Sequence, residues 1–351
     1  MPTVIKEPKF QLRGHNYWCR YVTWSPDGDL LATACADNHV RIFQCDGTES
    51  FKMKHPDWVW ACDFSFTPKR KRLATACLDG KVRIFDASSG RELLSIQAHE
   101  DKTVNCVAFA SNGEVLISGS YDKTARIFSV GNGKELRCIN DFKGPVLSAT
   151  FTPDSLHAVM GSSTGQLVIA DASTGKTVQR FETAHAGKLN SISVAADGKL
   201  FVTGGSDKCA KVWQKSAAGS WALIKTLKLA DEVTGVAWSP DQLLLAVSSA
   251  DSTVRIYHAS DGWAELTRIK GHSDEVNCVS MCNKGARTLL ATASDDKQAS
   301  IFDLSTISVQ LKVAAAKAGK SAAIVTAHGA QEGTAEEPVS VGDPADMDGL
   351  D

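Results

Sequence analysis

Asp37-Asn-His-Val-Arg-Ile-Phe43 is the first of six segments in which an Asp is followed six residues later by an aromatic side chain. The others pair Asp79 with Phe85, Asp122 with Phe128, Asp207 with Trp213, Asp251 with Tyr257 and Asp296 with Phe302; a degenerate member pairs Thr164 with Ala170. From one member to the next the spacing is 42, 43, 42, 43, 44 and 45 residues. So even a step means one supersecondary unit used seven times, each unit burying its apolar face against the next.

Inside each unit, short apolar stretches such as Val104-Asn-Cys-Val-Ala-Phe109 and Leu30-Leu-Ala-Thr33 are separated by turns. The turns carry Ser25-Pro-Asp-Gly28, Ser111-Asn-Gly113, Ala196-Asp-Gly198 and Ser239-Pro-Asp241, where Pro fixes φ and Gly or Asn tolerates positive φ. These are strands of about five or six residues. No long helical periodicity competes with them before about residue 305. Four strands at a period of ~40–45 residues make one blade of a β-propeller.

The repeats resemble WD40 repeats over roughly residues 10–303. Five open with a His, at Arg13-Gly-His15, Lys54-His55, Ala98-His99, Ala184-His185 and Gly271-His272, each 22 to 24 residues before its Asp. The closing Trp-Asp pair that names the family is mostly lost: only Trp213 keeps the Trp, while Phe43, Phe85, Phe128 and Phe302 replace it and Asp86 and Asp303 keep the Asp. The resemblance implies an all-β fold, a seven-bladed WD40 propeller of four-stranded antiparallel blades. Its repeats are offset from its blades, so residues 9–12 are expected to close the ring beside residues 298–303. The expected organisation is an N-terminal leader over residues 1–8, the propeller over 9–303, and a flexible Ala-, Gly- and acid-rich tail over 304–351, with a short helix possible near residues 311–317.

The resemblance further implies a hydrogen-bonded set of His, a strand Ser or Thr, the turn Asp and the strand Trp. Its members map onto His15, Thr33 and Asp37; His55, Thr75 and Asp79; His99, Ser118 and Asp122; His185, Thr203, Asp207 and Trp213; and His272, Thr292 and Asp296. A buried imidazole is costly unless both nitrogens are satisfied, which is why an Asp and a hydroxyl should flank it. Phe in the aromatic place removes the indole donor and leaves triads in four blades. The fourth repeat has no opening His, with Met160 for the hydroxyl and Thr164 for the Asp; the sixth has Ala230-Asp231 and Val247, keeping Asp251. Losing donor and relay together avoids an unpaired buried partner, worth ~1–3 kcal/mol.

A formal net charge of −2, with 35 basic against 33 acidic residues left once the tail is set aside, supplies no field for indiscriminate nucleic-acid binding. No apolar run is long enough to span a membrane, and Met1-Pro-Thr-Val-Ile-Lys lacks an apolar signal segment. Ten cysteines without a Cys-x-x-Cys, most of them in strands, read as reduced thiols of a cytoplasmic protein, with the nucleus or cytoskeleton left open. The histidines outside the repeat position are scattered, so neither a metal nor a cofactor is expected. Ala170-Asp-Ala-Ser-Thr-Gly-Lys-Thr177 fits a loose P-loop pattern, but a phosphate cradle needs a helix after the loop; the position matches Ser89-Gly-Arg91 and Asn132-Gly-Lys134, which read as hairpin turns. No nucleophile motif appears, and catalysis is not expected.

Surface remains as the carrier of function. In propellers of this family the face around the channel mouth commonly holds protein partners. Residues before the turn Asp and at the start of the first strand would point there, which gathers Trp18, Arg20, Trp58, Trp60 and Tyr121 on blades one to three, with Leu78 and Asn105 among them. Trp, Tyr and Arg dominate binding energy at interfaces. Polar residues at the second place of the first strand in other blades (Asn105, Asn190, Thr234, Asn277) suggest a wet face; packing between blades is the competing reading. The expectation is a monomeric propeller acting as a noncatalytic scaffold or adaptor in a multiprotein complex. The alternative is an RNA-processing or chromatin-associated adaptor using Lys69-Arg-Lys-Arg72, with a propeller enzyme third.

Overall fold

Seven antiparallel sheets stand around a central channel in the computed structural model, which describes residues 3–65, 71–100, 102–259 and 262–311. Blade one runs from channel to rim as Cys19–Trp24, Leu30–Cys35, His39–Gln44 and Glu49–Lys54. Blades two to five repeat this over residues 59–97, 104–139, 146–181 and 189–228. In blade seven, Val276–Lys284, Arg287–Ser294 and Ala299–Asp303 take Phe10–Leu12 as their outer strand, antiparallel, with Phe10 opposite Ile301 and Leu12 opposite Ala299. The ring is therefore closed by a strand from the other end of the repeat array, which hides two sheet edges at once.

The expected leader corrects to a structural element. Thr3–Ile5 is a fifth strand on blade six, parallel to Glu265–Ile269, with Thr3 opposite Thr267 and Ile5 opposite Ile269. Two residues of Val and Ile in an extended stretch suffice to cover that edge, and the Thr267 hydroxyl donates to the Thr3 carbonyl at 2.9 Å. At the other end, a short helix occupies residues 305–311, earlier than expected; residues 312–351, where the tail was expected, lie outside the described residues. Residues 309–351 belong to a unit separate from residues 1–308.

The core lies between blades. One cluster joins Ala32, Ile42 and Met53 of blade one to Val59, Cys62 and Phe64 of blade two; another joins Val159, Leu167 and Ile169 to Leu189, Phe201 and Trp213 across blades four and five. Face-to-face packing of twisted sheets at this closeness needs small residues on the second strand. Gly161 is such a residue, since a Cβ there would overlap the Leu189 side chain; Ala34 and Ala76 hold the corresponding place in blades one and two.

In six of the seven blades the hairpin between second and third strands is a tight turn with its Asp as keystone; blade four has Thr164 there. The Asp carboxylate accepts the N–H two residues on, as Asp37 does from His39 at 3.2 Å and Asp122 from Thr124 at 2.8 Å. The residue between them is left-handed in all seven blades, from Asn38 at φ 66° to Lys297 at φ 67°, with Gly80 and Gly165 in blades two and four. The Asp thus serves its own turn before it serves any partner.

Candidate protein-binding face

The relay sets divide into two kinds. In blades three, five and seven the His bridges hydroxyl and carboxylate: His99 Nδ1 lies 2.7 Å from Asp122 and Nε2 2.8 Å from Ser118. His185 meets Asp207 and Thr203 at 2.7 Å each, and His272 meets Asp296 at 2.8 Å and Thr292 at 2.7 Å. Trp213 completes the blade-five set, its indole N–H donating to Thr203 at 3.0 Å.

Blades one and two correct the expectation. His15 and His55 reach Thr33 and Thr75, each at 2.9 Å, but neither bonds its Asp. Arg41 takes Asp37 with both terminal nitrogens, at 3.1 and 2.7 Å, and Arg83 takes Asp79 likewise, at 3.2 and 2.6 Å. In these two blades the two-pronged guanidinium occupies both carboxylate oxygens, and the imidazole goes without the bond that His99 makes in blade three. His15 Nδ1 is left buried without a partner among the described residues, and His55 Nδ1 turns to the Met53 carbonyl at 3.3 Å. Burial, then the neighbouring Arg41 or Arg83, drives both imidazoles down to about 4. Burial alone would raise Asp37, but the bonds from Arg41 and the Asn16 amide outweigh it and hold the carboxyl at about 2. His99 and His185 are also lowered by burial, with their Asp partners pulling the other way. In blade six, which lacks the opening His, Arg255 takes Asp251 at 2.7 Å. The signal was present in the sequence as Asp-x-x-x-Arg, in four of the seven repeats.

The face around the channel mouth has a structural rule and exceptions to it. At the second place of the innermost strand, Asn105 donates its amide to the Val146 carbonyl of the next blade, Asn190 to Val233 and Asn277 to Cys19, each at 2.9 Å, and the Thr234 hydroxyl donates to the Val276 carbonyl. These polar groups staple neighbouring blades together. Asn105 therefore corrects from a binding residue to an inter-blade donor; polarity at this place reflects an unpaired carbonyl next door.

Blades one and two have Arg20 and Trp60 at the stapling place. The Arg20 guanidinium lies 4.6 Å over the Trp60 ring and reaches Asp295 at 3.3 Å and Asn277 at 3.4 Å. Trp60 Nε1 is buried without an acceptor among the described residues. Outward from them, Trp58 meets Trp60 with ring centroids 6.4 Å apart, Trp18 meets Trp58 edge-on at 6.1 Å, and Tyr17 lies 4.7 Å from Trp18 and 5.9 Å from Trp58. The result is a continuous aromatic strip from the rim of the face into the mouth of a channel of ≈980 Å³ lined by Arg20, Trp60 and Tyr121. Trp18, Trp58 and Trp60 are half-buried; Tyr121 is 60% exposed, and Tyr17, which the sequence reading passed over, is 38% exposed. Their backbones are fixed, since the Trp18 and Trp58 carbonyls accept the Ala36 and Leu78 N–H groups at 2.9 Å. Leu78 itself is half-buried at this edge.

Two motifs that invite other chemistry resolve as architecture. Thr174-Gly-Lys176 is the hairpin between Leu167–Asp171 and Thr177–Phe181; the Asp171 carboxylate accepts the Thr174 N–H, the Asp171 carbonyl the Gly175 N–H and the Thr174 hydroxyl the Lys176 N–H, with Gly175 at φ 74°. Among the described residues no three His, Cys, Asp or Glu side chains converge as metal ligands. The basic loop falls mostly outside the described residues, but Lys71 at its end is paired with Asp27 at 2.6 Å.

Family models match in two places. That of the anaphase-promoting complex subunit 4 WD40 domain matches residues 22–110 and 206–284, and that of the WD domain, G-beta repeat, matches residues 175–214. With seven four-stranded blades in a ring, this decides the matter. The chain belongs to the WD40-repeat family. Human WD repeat-containing protein 3 is 32% identical over 165 residues, 44% of this chain and 17% of that protein. Yeast U3 small nucleolar RNA-associated protein 12 is 29% identical over 181 residues, 47% of this chain and 18% of that one. Autophagy-related protein 16 of Arabidopsis thaliana is 23% identical over 215 residues, 61% and 41% of the two chains. The matched stretch thus spans less than half the length of each of these relatives. Within this WD40 propeller, the family's Trp survives only in blade five, where its N–H is used; in blades one and two the replacing Phe packs against the His, Phe43 on His15 at 5.9 Å and Phe85 on His55 at 5.4 Å.

Proposed function

We propose that the chain is a noncatalytic interaction scaffold that holds a peptide or domain on the aromatic strip of blades one and two and so builds a larger assembly. One observation carries this reading. At blades one and two the inter-blade staple is given up, and Arg20, Trp60, Trp58, Trp18 and Tyr17 form a half-exposed stack in its place. Interior packing would be served by Asn, as in blades three, five and seven. Rigid, preformed aromatic surface binds with little ordering cost. Reduced thiols fit a cytoplasmic setting; all ten cysteines are free.

The test is affinity purification of the tagged chain from its own cells beside a Trp58→Ala, Trp60→Ala variant of unchanged melting temperature. Loss of a partner from the variant alone supports the site; retention of every partner removes it. A second reading, an adaptor in an RNA-processing complex, draws on the likeness to the U3 small nucleolar RNA-associated protein and on the basic loop at residues 69–72. Recovery of crosslinked RNA that disappears when those four residues become Ser would favour it.

A further inference from the structure

We infer that the partner of this face is a peptide that places a cationic side chain, Arg or Lys, in the channel mouth against Glu232 and Glu275 while its neighbouring residues lie across Trp60 and Trp58. The inference rests on the scaffold reading above and adds the partner's chemistry.

The top of the ring is electrically lopsided. On the same side of the ring, the loops of blades six and seven carry Asp231, Glu232, Asp274, Glu275 and Asp295, of which Asp295 meets Arg20 of the strip and Glu232 and Glu275 line the mouth. Two of these are answered: Lys208 pairs with Asp231 at 3.2 Å and Arg20 with Asp295 at 3.3 Å. Among the described residues, the Glu232 and Glu275 side chains make no ion pair or hydrogen bond, and the Asp274 carboxylate accepts only the Glu275 N–H at 2.8 Å. Lys297, on the blade-seven turn, pairs with none of them, and across the mouth Lys188 of blade five is likewise uncommitted. Glu232 and Glu275 line the channel mouth together with Arg20, Trp60 and Asn277. Burial, then the charge of Asp295, raises the Glu275 carboxyl; Arg20 pulls it the other way without cancelling the rise, to which Glu232 and Asp274 add. A cation between these groups relieves that mutual repulsion, and one from a partner is the complement.

The aromatic side supplies the rest of a peptide's needs. Trp60 lines the same mouth, half-buried, and carries an indole N–H that has no acceptor among the described residues. Trp58 and Trp18 offer ring faces to the stem of Arg or Lys and to apolar neighbours. Arg20 is already held between Trp60 and Asp295, which shows how a guanidinium sits on these groups.

The test selects binders to the full chain from a phage-displayed library of random dodecapeptides, then measures affinities of the enriched sequences by fluorescence polarisation. They are compared on the wild type, on Glu232→Gln with Glu275→Gln, and on Trp58→Ala with Trp60→Ala, each checked for an unchanged melting temperature. The expected result is enrichment of Arg or Lys at one fixed position, with affinity falling roughly tenfold or more in the Gln variant and weakening as salt rises. Enriched peptides that lack a cation, or that bind the Gln variant within about twofold, overturn the cationic assignment. If those same peptides still depend on Trp58 and Trp60, the face survives and only its partner chemistry falls. No enriched peptide, or peptides indifferent to both variants, overturns the inference and the aromatic-face reading together.

Discussion

Arg41 binds both carboxylate oxygens of Asp37, and the pair is buried, with side-chain exposures of 0% and 6%. In blade three the geometry is reversed. There His99 holds Asp122 at 2.7 Å while Arg126 stands 3.6 Å away, a quarter exposed and paired to Glu135. A His, a hydroxyl, an Asp and an Arg four residues after it thus have two solutions, one built on Arg and one on His.

That difference predicts opposite rankings of substitutions. Arg41→Met leaves Asp37 buried and uncompensated and should cost ~3–5 kcal/mol, whereas His15→Gln loses chiefly the Thr33 bond and should cost about 1 kcal/mol. In blade three, His99→Ala should cost ~1–3 kcal/mol and Arg126→Met under about 1 kcal/mol. Urea midpoints of the four variants check this. The same order in both blades would remove the distinction.

The repeat period, the seven blades and the turn Asp were legible because they rest on a pattern repeated hairpin by hairpin; the closing strand, which pairs Phe10 with Ile301, was expected only through the resemblance to WD40 repeats. What the sequence hid was competition. Asp37 can serve His15 or Arg41, and since Asp122 takes His99 although Arg126 stands four residues on, residue types alone do not decide the outcome. Asn105 misled for a related reason: a polar residue on a first strand reads as solvent-facing until the carbonyl of the next blade, 41 residues on, is placed beside it. Thr3–Ile5 was too short to register, since three residues carry no periodicity.

The stapling rule makes a second prediction. Asn105→Leu removes the donor to Val146 and strands that carbonyl between blades three and four, for a loss of ~1–3 kcal/mol. Leu147, at the same place in blade four, has no staple to lose, and Leu147→Ala should be the milder change. Thermal midpoints of the two variants decide; a milder Asn105→Leu would mean that the amide does not hold the blades together.

Trp213 offers a third. Its N–H shares the Thr203 hydroxyl with His185, so Trp213→Phe removes one bond and leaves Thr203 paired. The expected cost is ~0.5–1.5 kcal/mol, which would explain how four other blades do with Phe. A loss above about 3 kcal/mol would instead make the indole a packing element that Phe cannot replace.

Acid should unfold this propeller earlier than its carboxylates alone would dictate. The imidazoles of His15 and His55 are driven from 6.5 down to about 4 by burial and by Arg41 and Arg83. As pH falls below 6.5 the unfolded chain takes up protons that the folded chain refuses until about 4. Stability is therefore highest above 6.5 and declines through this window, by up to ~1.4 kcal/mol per pH unit for each His. Asp37, held at about 2, keeps its contribution above its ordinary value of 3.8 and loses it only below that, so it does not account for losses near pH 5. A His15→Gln, His55→Gln variant should start less stable at pH 7.5 yet show a flatter profile, the two curves converging toward pH 4. Urea titrations at half-unit steps measure both slopes, and parallel profiles would place the acid sensitivity elsewhere, in His99 and His185, whose imidazoles are lowered in the same direction.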